Sequence, residues 1–175
     1  MIRRWKVIKR SQFFKKYSRV VEEVAFELPN GLVEDFYIKK EGPAVAVLGL
    51  TKNKEVVLVK QFRPGPLKTL LELPGGYVED LEKAKDAIKR EFLEETGYEG
   101  KFSFVGECLD DAYSTMVRYC YVAENCYRVA DPMSSSTEQT EVVLMNLDKF
   151  RELLRSGQMT DVEVGYLCLD YLKLL

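Results

Sequence analysis

The chain has 175 residues, 46% of them hydrophobic and 31% charged, with 26 basic against 28 acidic side chains. That composition fits one globular domain able to bury a full core, and a net charge of -2 with a pI of about 5.5 argues against a surface built to neutralise nucleic-acid phosphates. The longest apolar run, Ala44 to Leu50, is far shorter than the roughly 20 residues that span a bilayer, and the charged start leads into no apolar leader, so a cytoplasmic protein with no membrane partner is expected.

In chain order, Val20–Leu28 and Leu32–Ile38 flank Pro29-Asn30-Gly31 and read as a β-hairpin. Ala44–Leu50 and Glu55–Phe62 are nearly unbroken Val/Leu runs, the pattern of strands covered on both faces. Thr69–Leu73 follows as a short strand, and Pro74-Gly75-Gly76 as a sharp bend. The first strong helical segment runs from Leu81 to Thr96, with Asp80 as its N-cap and Gly97 as its left-handed stop. Strands are expected near Lys101–Leu109, Met116–Ala123 and Glu141–Met145, with a mobile loop over Asp131–Glu138 before the last of these. Helices over Leu147–Arg155 and Asp161–Leu174 close the chain. The whole is expected to be a single α/β domain with a mixed sheet, residues 1–40 forming an N-terminal hairpin and 41–175 the core.

Chemistry is constrained by what is missing. There is no histidine, which removes the commonest general base, the usual zinc ligand and every His-assisted nucleophile. Cys108, Cys120, Cys126 and Cys168 show no CxxC spacing and read as reduced, structural thiols. Carboxylates, Lys, Tyr, Cys or a hard metal ion are left to act. At about 100° per residue, Leu81, Ala84, Ala87, Ile88 and Phe92 form the buried stripe of the Leu81–Thr96 helix, with Glu91 and Glu95 inside that stripe and Glu94 at its edge. Like charges at this spacing repel, and burying them unpaired is expensive. An all-oxygen cation site suited to Mg²⁺, with Mn²⁺ as a substitute, resolves the conflict; solvated surface glutamates on a Lys-rich helix are the alternative.

Read whole, the stretch is Gly76, five residues, Glu82, seven residues, then Arg90-Glu91-Phe92-Leu93-Glu94-Glu95-Thr96-Gly97-Tyr98. It resembles the complete box of the Nudix hydrolases. The resemblance implies a Nudix-type α/β/α sandwich and metal-assisted hydrolysis of a diphosphate linked to a nucleoside. By position, Glu91, Glu94, Glu95 and the Gly75 carbonyl would be metal ligands, and Arg90 would orient the carboxylates. Glu82, on the opposite side of the helical wheel, would be structural.

Upstream, Gln61-Phe62-Arg63 and Glu72-Leu73-Pro74-Gly75-Gly76 resemble the branch that hydrolyses ADP-ribose and other nucleoside-diphosphate sugars. In that branch an N-terminal strand hairpin commonly builds a homodimer. The resemblance makes Arg63 a diphosphate contact through charge-assisted hydrogen bonds and lets Glu72 frame the site. Trp5 is expected to pack rather than stack on a base, and Tyr113 is either a pocket or a core aromatic. The branch resemblance makes ADP-ribose or a related ADP-sugar the expected substrate; the proline usual in the branch's loop after the box is absent from Leu109–Met116, which weighs against ADP-ribose itself and leaves room for another sugar nucleotide or a dinucleotide. The branch also implies a loop general base, for which Glu138 is the first candidate and Glu141 the second. The competing readings are a pyrophosphohydrolase of dinucleotides, nucleoside triphosphates or capped RNA, and a non-catalytic nucleotide-sugar sensor.

Overall fold

A computed structural model describes residues 2–16, 19–133 and 139–175. Its elements are β1 (Lys6–Lys16), β2 (Arg19–Glu27), β3 (Val33–Lys40), β4 (Ala44–Thr51), β5 (Glu55–Arg63), β6 (Lys68–Glu72) and β7 (Gly75–Tyr77), then α1 (Ala84–Thr96), followed by β8 (Tyr98–Leu109), β9 (Val117–Arg128), β10 (Thr140–Asn146), α2 (Leu147–Ser156) and α3 (Val162–Tyr171). They form two compact units, one from residues 1–43 with 109–117, the other from 44–108 with 118–175.

The smaller unit is an antiparallel sheet in the order β1-β2-β3. β2 and β3 pair continuously from Val20↔Lys40 to Glu27↔Val33, across a turn in which Gly31 has a φ of +83° and the Asn30 side chain accepts from the Leu32 N–H. The expected hairpin therefore forms, but a third strand joins it. β1 escapes period-two reading because its register shifts between Val7 and Lys9 and again between Gln12 and Phe14, each shift moving the next residues to the other face. Trp5 packs edge-on to Phe26 at 5.9 Å and lies 5.3 Å from Phe36. The segment after the box also belongs to this unit: the Lys39 N–H donates to the Tyr113 carbonyl at 2.7 Å, and the Lys39 ammonium pairs with Asp110 and Asp111 at 2.9 and 2.6 Å.

The larger unit is built on a mixed sheet in the order β10-β5-β4-β9-β8, with β6 added to β5 and β7 to β4. β4 runs parallel to β9 and antiparallel to β5. Alternation along the central strands explains why their sequences are apolar throughout. Val45 and Val47 of β4, Val57 of β5 and Tyr121 and Ala123 of β9 pack with Ala87, Ile88 and Phe92 of α1 on one face. Ala46 and Leu48, Val56 and Leu58, and Cys120 and Val122 pack with Phe150 and Leu154 of α2 and Val164 and Leu169 of α3 on the other. The result is an α/β/α sandwich, as expected. All four cysteines are free thiols.

Three local expectations are corrected. The box helix starts at Ala84, not Leu81: Leu81 has a φ of +67° and is fully exposed, so it is absent from the buried stripe, and the N-cap is Lys83 rather than Asp80. Glu82 consequently precedes the helix, and its place on a helical wheel has no meaning. Pro74-Gly75-Gly76 is not only a bend, because Gly75–Tyr77 forms a strand against Ala44–Ala46 of β4. At the C-terminus of the box helix Gly97 does take the left-handed conformation, φ +71°, and its N–H caps the Leu93 carbonyl.

Phe92 anchors α1: it is fully buried and meets Phe102 edge-on at 5.7 Å. Phe92→Ala is expected to destabilise the protein by about 3–5 kcal/mol in urea unfolding. A loss below about 1 kcal/mol would show that the helix is held by something other than this core.

Candidate active site

The C-terminal part of α1, the β7 strand and the turn between them bring the box carboxylates against a glycine backbone. A Cβ on Gly75 would lie 2.1 Å from the Val45 carbonyl oxygen, and one on Gly76 would lie 2.5 Å from the Glu91 carboxyl carbon. At Gly75 the obstacle is backbone and only glycine fits, whereas at Gly76 a Cβ would displace the Glu91 carboxylate. The Gly75 N–H donates to a Glu95 carboxylate oxygen at 2.9 Å. Gly75, Glu91 and Glu95 are thus assembled at one place from positions up to 20 residues apart.

One guanidinium organises the acidic side of this place. Arg90 Nε and Nη2 donate to the two oxygens of Glu82 at 3.0 and 2.9 Å, and Nη2 also reaches the Tyr77 carbonyl at 3.2 Å. Nη1 donates to Glu91 at 2.9 Å and to Glu94 at 3.3 Å. Arg90 therefore ties the loop before α1 to the helix, and the Glu94 contact is one of several rather than a plain i,i+4 pair. The hydrogen bonds from Arg90 hold the Glu82 carboxyl below its usual range. Glu91 moves the other way. Burial pushes its pKa up, Arg90 opposes this, and the neighbouring Glu94 and Glu82 charges add to the rise.

With Arg90 between Glu91 and Glu94, those side chains are turned to the guanidinium, and among the described residues no three His, Cys, Asp or Glu side chains converge in metal-holding geometry. The donor chemistry nevertheless suits a hard divalent cation: carboxylate and carbonyl oxygens, no sulfur or imidazole, and one half-buried carboxylate whose ionised form lacks sufficient positive charge.

A second polar cluster lies on β5 and β6. Antiparallel pairing of Val59 with Glu72 puts Gln61 and Arg63 on the same face as Glu72, one and two pleats along. Glu72 is 1% exposed, and one of its oxygens accepts from Gln61 Nε2 at 2.8 Å and from Arg63 Nε at 2.7 Å. The other accepts from the Thr160 hydroxyl, 88 residues away in sequence. The Arg63 side chain remains 40% exposed. Next to Thr160, Asp161 pairs with Arg118 at 3.2 Å, and Arg118 reaches Glu163 at 2.8 Å. Burial pushes the Asp161 carboxyl up to about 6, against the pull of Arg118. The resemblance of Gln61-Phe62-Arg63 and of Glu72-Leu73-Pro74-Gly75-Gly76 to the nucleoside-diphosphate-sugar branch points to Arg63 and Glu72; nothing local signals Thr160, Asp161 or Arg118.

The remaining candidates lie elsewhere. Glu138 falls outside the described residues. Glu141 sits on β10 and pairs with Lys60 of β5 at 3.0 Å, both largely exposed. Tyr113 belongs to the smaller unit, half exposed and stacked on Phe36 at 6.3 Å.

The NUDIX domain family model matches residues 40–162, and the chain belongs to this family. It is 30% identical over 174 residues to the ADP-ribose pyrophosphatase of Bacillus subtilis (strain 168), covering 97% of this chain and 92% of that one. It is 25% identical to the methanol dehydrogenase activator of Bacillus methanolicus over the same shares of the two chains. A solved structure described as an ADP compounds hydrolase superposes with a TM-score of 0.84 at 18% identity, covering 99% of this chain and 96% of that chain, which shows the shared fold.

The raised Glu91 carboxyl fixes a sign for stability. In the unfolded chain Glu91 ionises near its ordinary pKa; in the folded chain it holds its proton to higher pH. Stability is therefore lost as pH rises through that interval, and the deficit persists above it. Without added divalent ions, Glu91→Gln is expected to have a higher Tm than wild type at pH 7, the gain shrinking towards pH 4. An equal gain at both pH values in thermal melts would contradict this account.

Proposed function

We propose that this protein is a divalent-metal-dependent Nudix hydrolase that cleaves the diphosphate of ADP-ribose or a related ADP-sugar, giving AMP and a sugar phosphate. The observation that carries this reading is the joining of the box carboxylates to the Gly75-Gly76 backbone, 2.9 Å from Gly75 N–H to Glu95. Full-length similarity to a pyrophosphatase of ADP-ribose supports the choice of substrate. Because the proline usual after the box in that branch is absent, other ADP-sugars stand beside ADP-ribose.

In this reading Glu91, Glu94, Glu95 and the Gly75 carbonyl hold the cation, Mg²⁺ with Mn²⁺ as a substitute. When bound, the cation neutralises the phosphates and lowers the pKa of a coordinated water. Arg90 restrains the carboxylates, holding Glu91 and Glu94 from one nitrogen while Glu82 occupies its other side. Arg63 binds the substrate diphosphate, its guanidinium held at Nε by Glu72. Glu138 removes a proton from the attacking water. One phosphoanhydride P–O bond breaks as the water oxygen joins phosphorus, and the released phosphate leaves on the other half of the substrate.

The same reading includes a cytoplasmic homodimer, with no nucleic-acid or membrane partner. Supporting the dimer, the β1–β3 sheet leaves Phe13 and Tyr37 more than half exposed although their rings touch at 4.8 Å, an apolar surface that a second copy would cover. Sedimentation is expected to give the mass of two chains for wild type and one for Phe13→Asp; a wild-type monomer would remove this element.

The reaction is tested by turnover against ADP-ribose, ADP-glucose, GDP-mannose, NADH, diadenosine polyphosphates and nucleoside triphosphates, with and without Mg²⁺ or Mn²⁺. Metal-dependent cleavage selective for an ADP-sugar is expected. Glu95→Gln keeps an oxygen able to accept from the Gly75 N–H, so the fold should survive while kcat falls on the order of 10²–10³-fold. Near-wild-type rates in that variant would sink the metal assignment. Nucleotide binding without turnover on any substrate would favour a sensor.

A further inference from the structure

The Glu72 cluster contains more than a frame for Arg63. Burying a carboxylate is costly unless hydrogen bonds replace its water, and Glu72 is buried to 1% exposure with three donors, two from β5 and one from Thr160 in the bend before α3. An apolar residue would fill a purely structural position at lower cost. What the carboxylate adds is direction. Gln61 and Arg63 share one oxygen, and the Thr160 hydroxyl occupies the other, so the plane of the carboxylate is set by groups on opposite sides of it. Gln61 is buried, whereas Thr160 is exposed and the Arg63 side chain reaches solvent at 40% exposure. An exposed arginine ordinarily samples many rotamers; this one is held at Nε, which leaves its terminal nitrogens to meet a ligand with less entropy to lose.

Thr160 is in turn fixed by its neighbour. Asp161 adopts a left-handed backbone, φ +56°, at the start of α3, its carbonyl accepts from the Gly165 N–H at 3.1 Å, and its carboxylate pairs with Arg118 of β9, which also holds Glu163. A chain of contacts therefore runs from Arg118 through Asp161 and Thr160 to Glu72 and ends at Arg63.

We propose that Thr160 is a positioning residue for substrate binding: its hydroxyl orients the Glu72 carboxylate, which aims the Arg63 guanidinium at the diphosphate of the nucleotide sugar. The inference rests on the reading of Arg63 as the diphosphate contact. Thr160 itself does not touch substrate, and its loss acts through Arg63 alone.

The test is a double-mutant cycle on the full chain, with KM and kcat for the best nucleotide sugar and Tm for each variant. Thr160→Val removes the donor at constant volume, Thr160→Ala removes it without the branched side chain, and Thr160→Ser restores it. The expected result is a KM raised about tenfold in Thr160→Val and Thr160→Ala with kcat within about twofold, and near-wild-type behaviour in Thr160→Ser. Adding Thr160→Val to Arg63→Ala should raise KM no further, because the two residues act in series. A lowered Tm with unchanged KM in both Thr160→Val and Thr160→Ala would overturn the proposal, as would a full additional loss of affinity in the Arg63→Ala background. If Arg63→Ala alone left KM unchanged, the underlying reading of Arg63 would fail first. These failures are distinguishable because only the last leaves the single arginine variant wild-type-like.

Discussion

The candidate site of the larger unit is organised by an imbalance of charge around one arginine. Three carboxylates, those of Glu82, Glu91 and Glu94, converge on Arg90, and one guanidinium cannot neutralise them all. It satisfies Glu82 bidentately and shares a single nitrogen between the other two. The residual negative charge is retained because the backbone opposite has been stripped to Gly75 and Gly76, which brings main chain, rather than an apolar side chain, against Glu91 and Glu95. A helix face that elsewhere packs as core here faces polar backbone with excess acid.

That arrangement requires a rigid support, and the mixed sheet provides it. Because the inner residues of β4, β5 and β9 point alternately to α1 and to the α2–α3 pair, the same three strands bury both apolar layers. β7 is held by β4 and β6 by β5, so both polar clusters hang from adjacent central strands. A shift of either strand by one residue would turn its apolar positions from one core to the other and is strongly resisted.

Much of this was legible from residues alone, for identifiable reasons. The Val/Leu runs of β4 and β5 need no partner information to read as strands buried on two faces, and the i, i+3, i+4 spacing of Glu91, Glu94 and Glu95 is a local property of α1. The start of α1 was not legible, because nothing in the composition of Asp80–Lys83 reveals that Leu81 is left-handed or that Glu82 is held by Arg90 from outside the helix. The stretch from Lys6 reads as β-rich, but the pairing of β1 as a third strand was not legible, because two register shifts break its alternation. Thr160, Asp161 and Arg118 come together only when α3 docks on the sheet, and a contact spanning 88 residues leaves no mark in a local window.

Glu72, fully buried, and Glu91, partly buried, are two carboxylates of the larger unit that meet very different sets of donors. Glu72 spreads its charge over an arginine, an amide and a hydroxyl, a set that satisfies both oxygens without any added ion. Glu91 has a share of one arginine nitrogen, with acidic neighbours and a glycine backbone around it. A saturated carboxylate is an anchor and can fix the aim of another side chain. An undersaturated one is where a cation would be stabilised. The distinction lies in the number and charge of the donors each carboxylate meets: the more deeply buried of the two is the better satisfied.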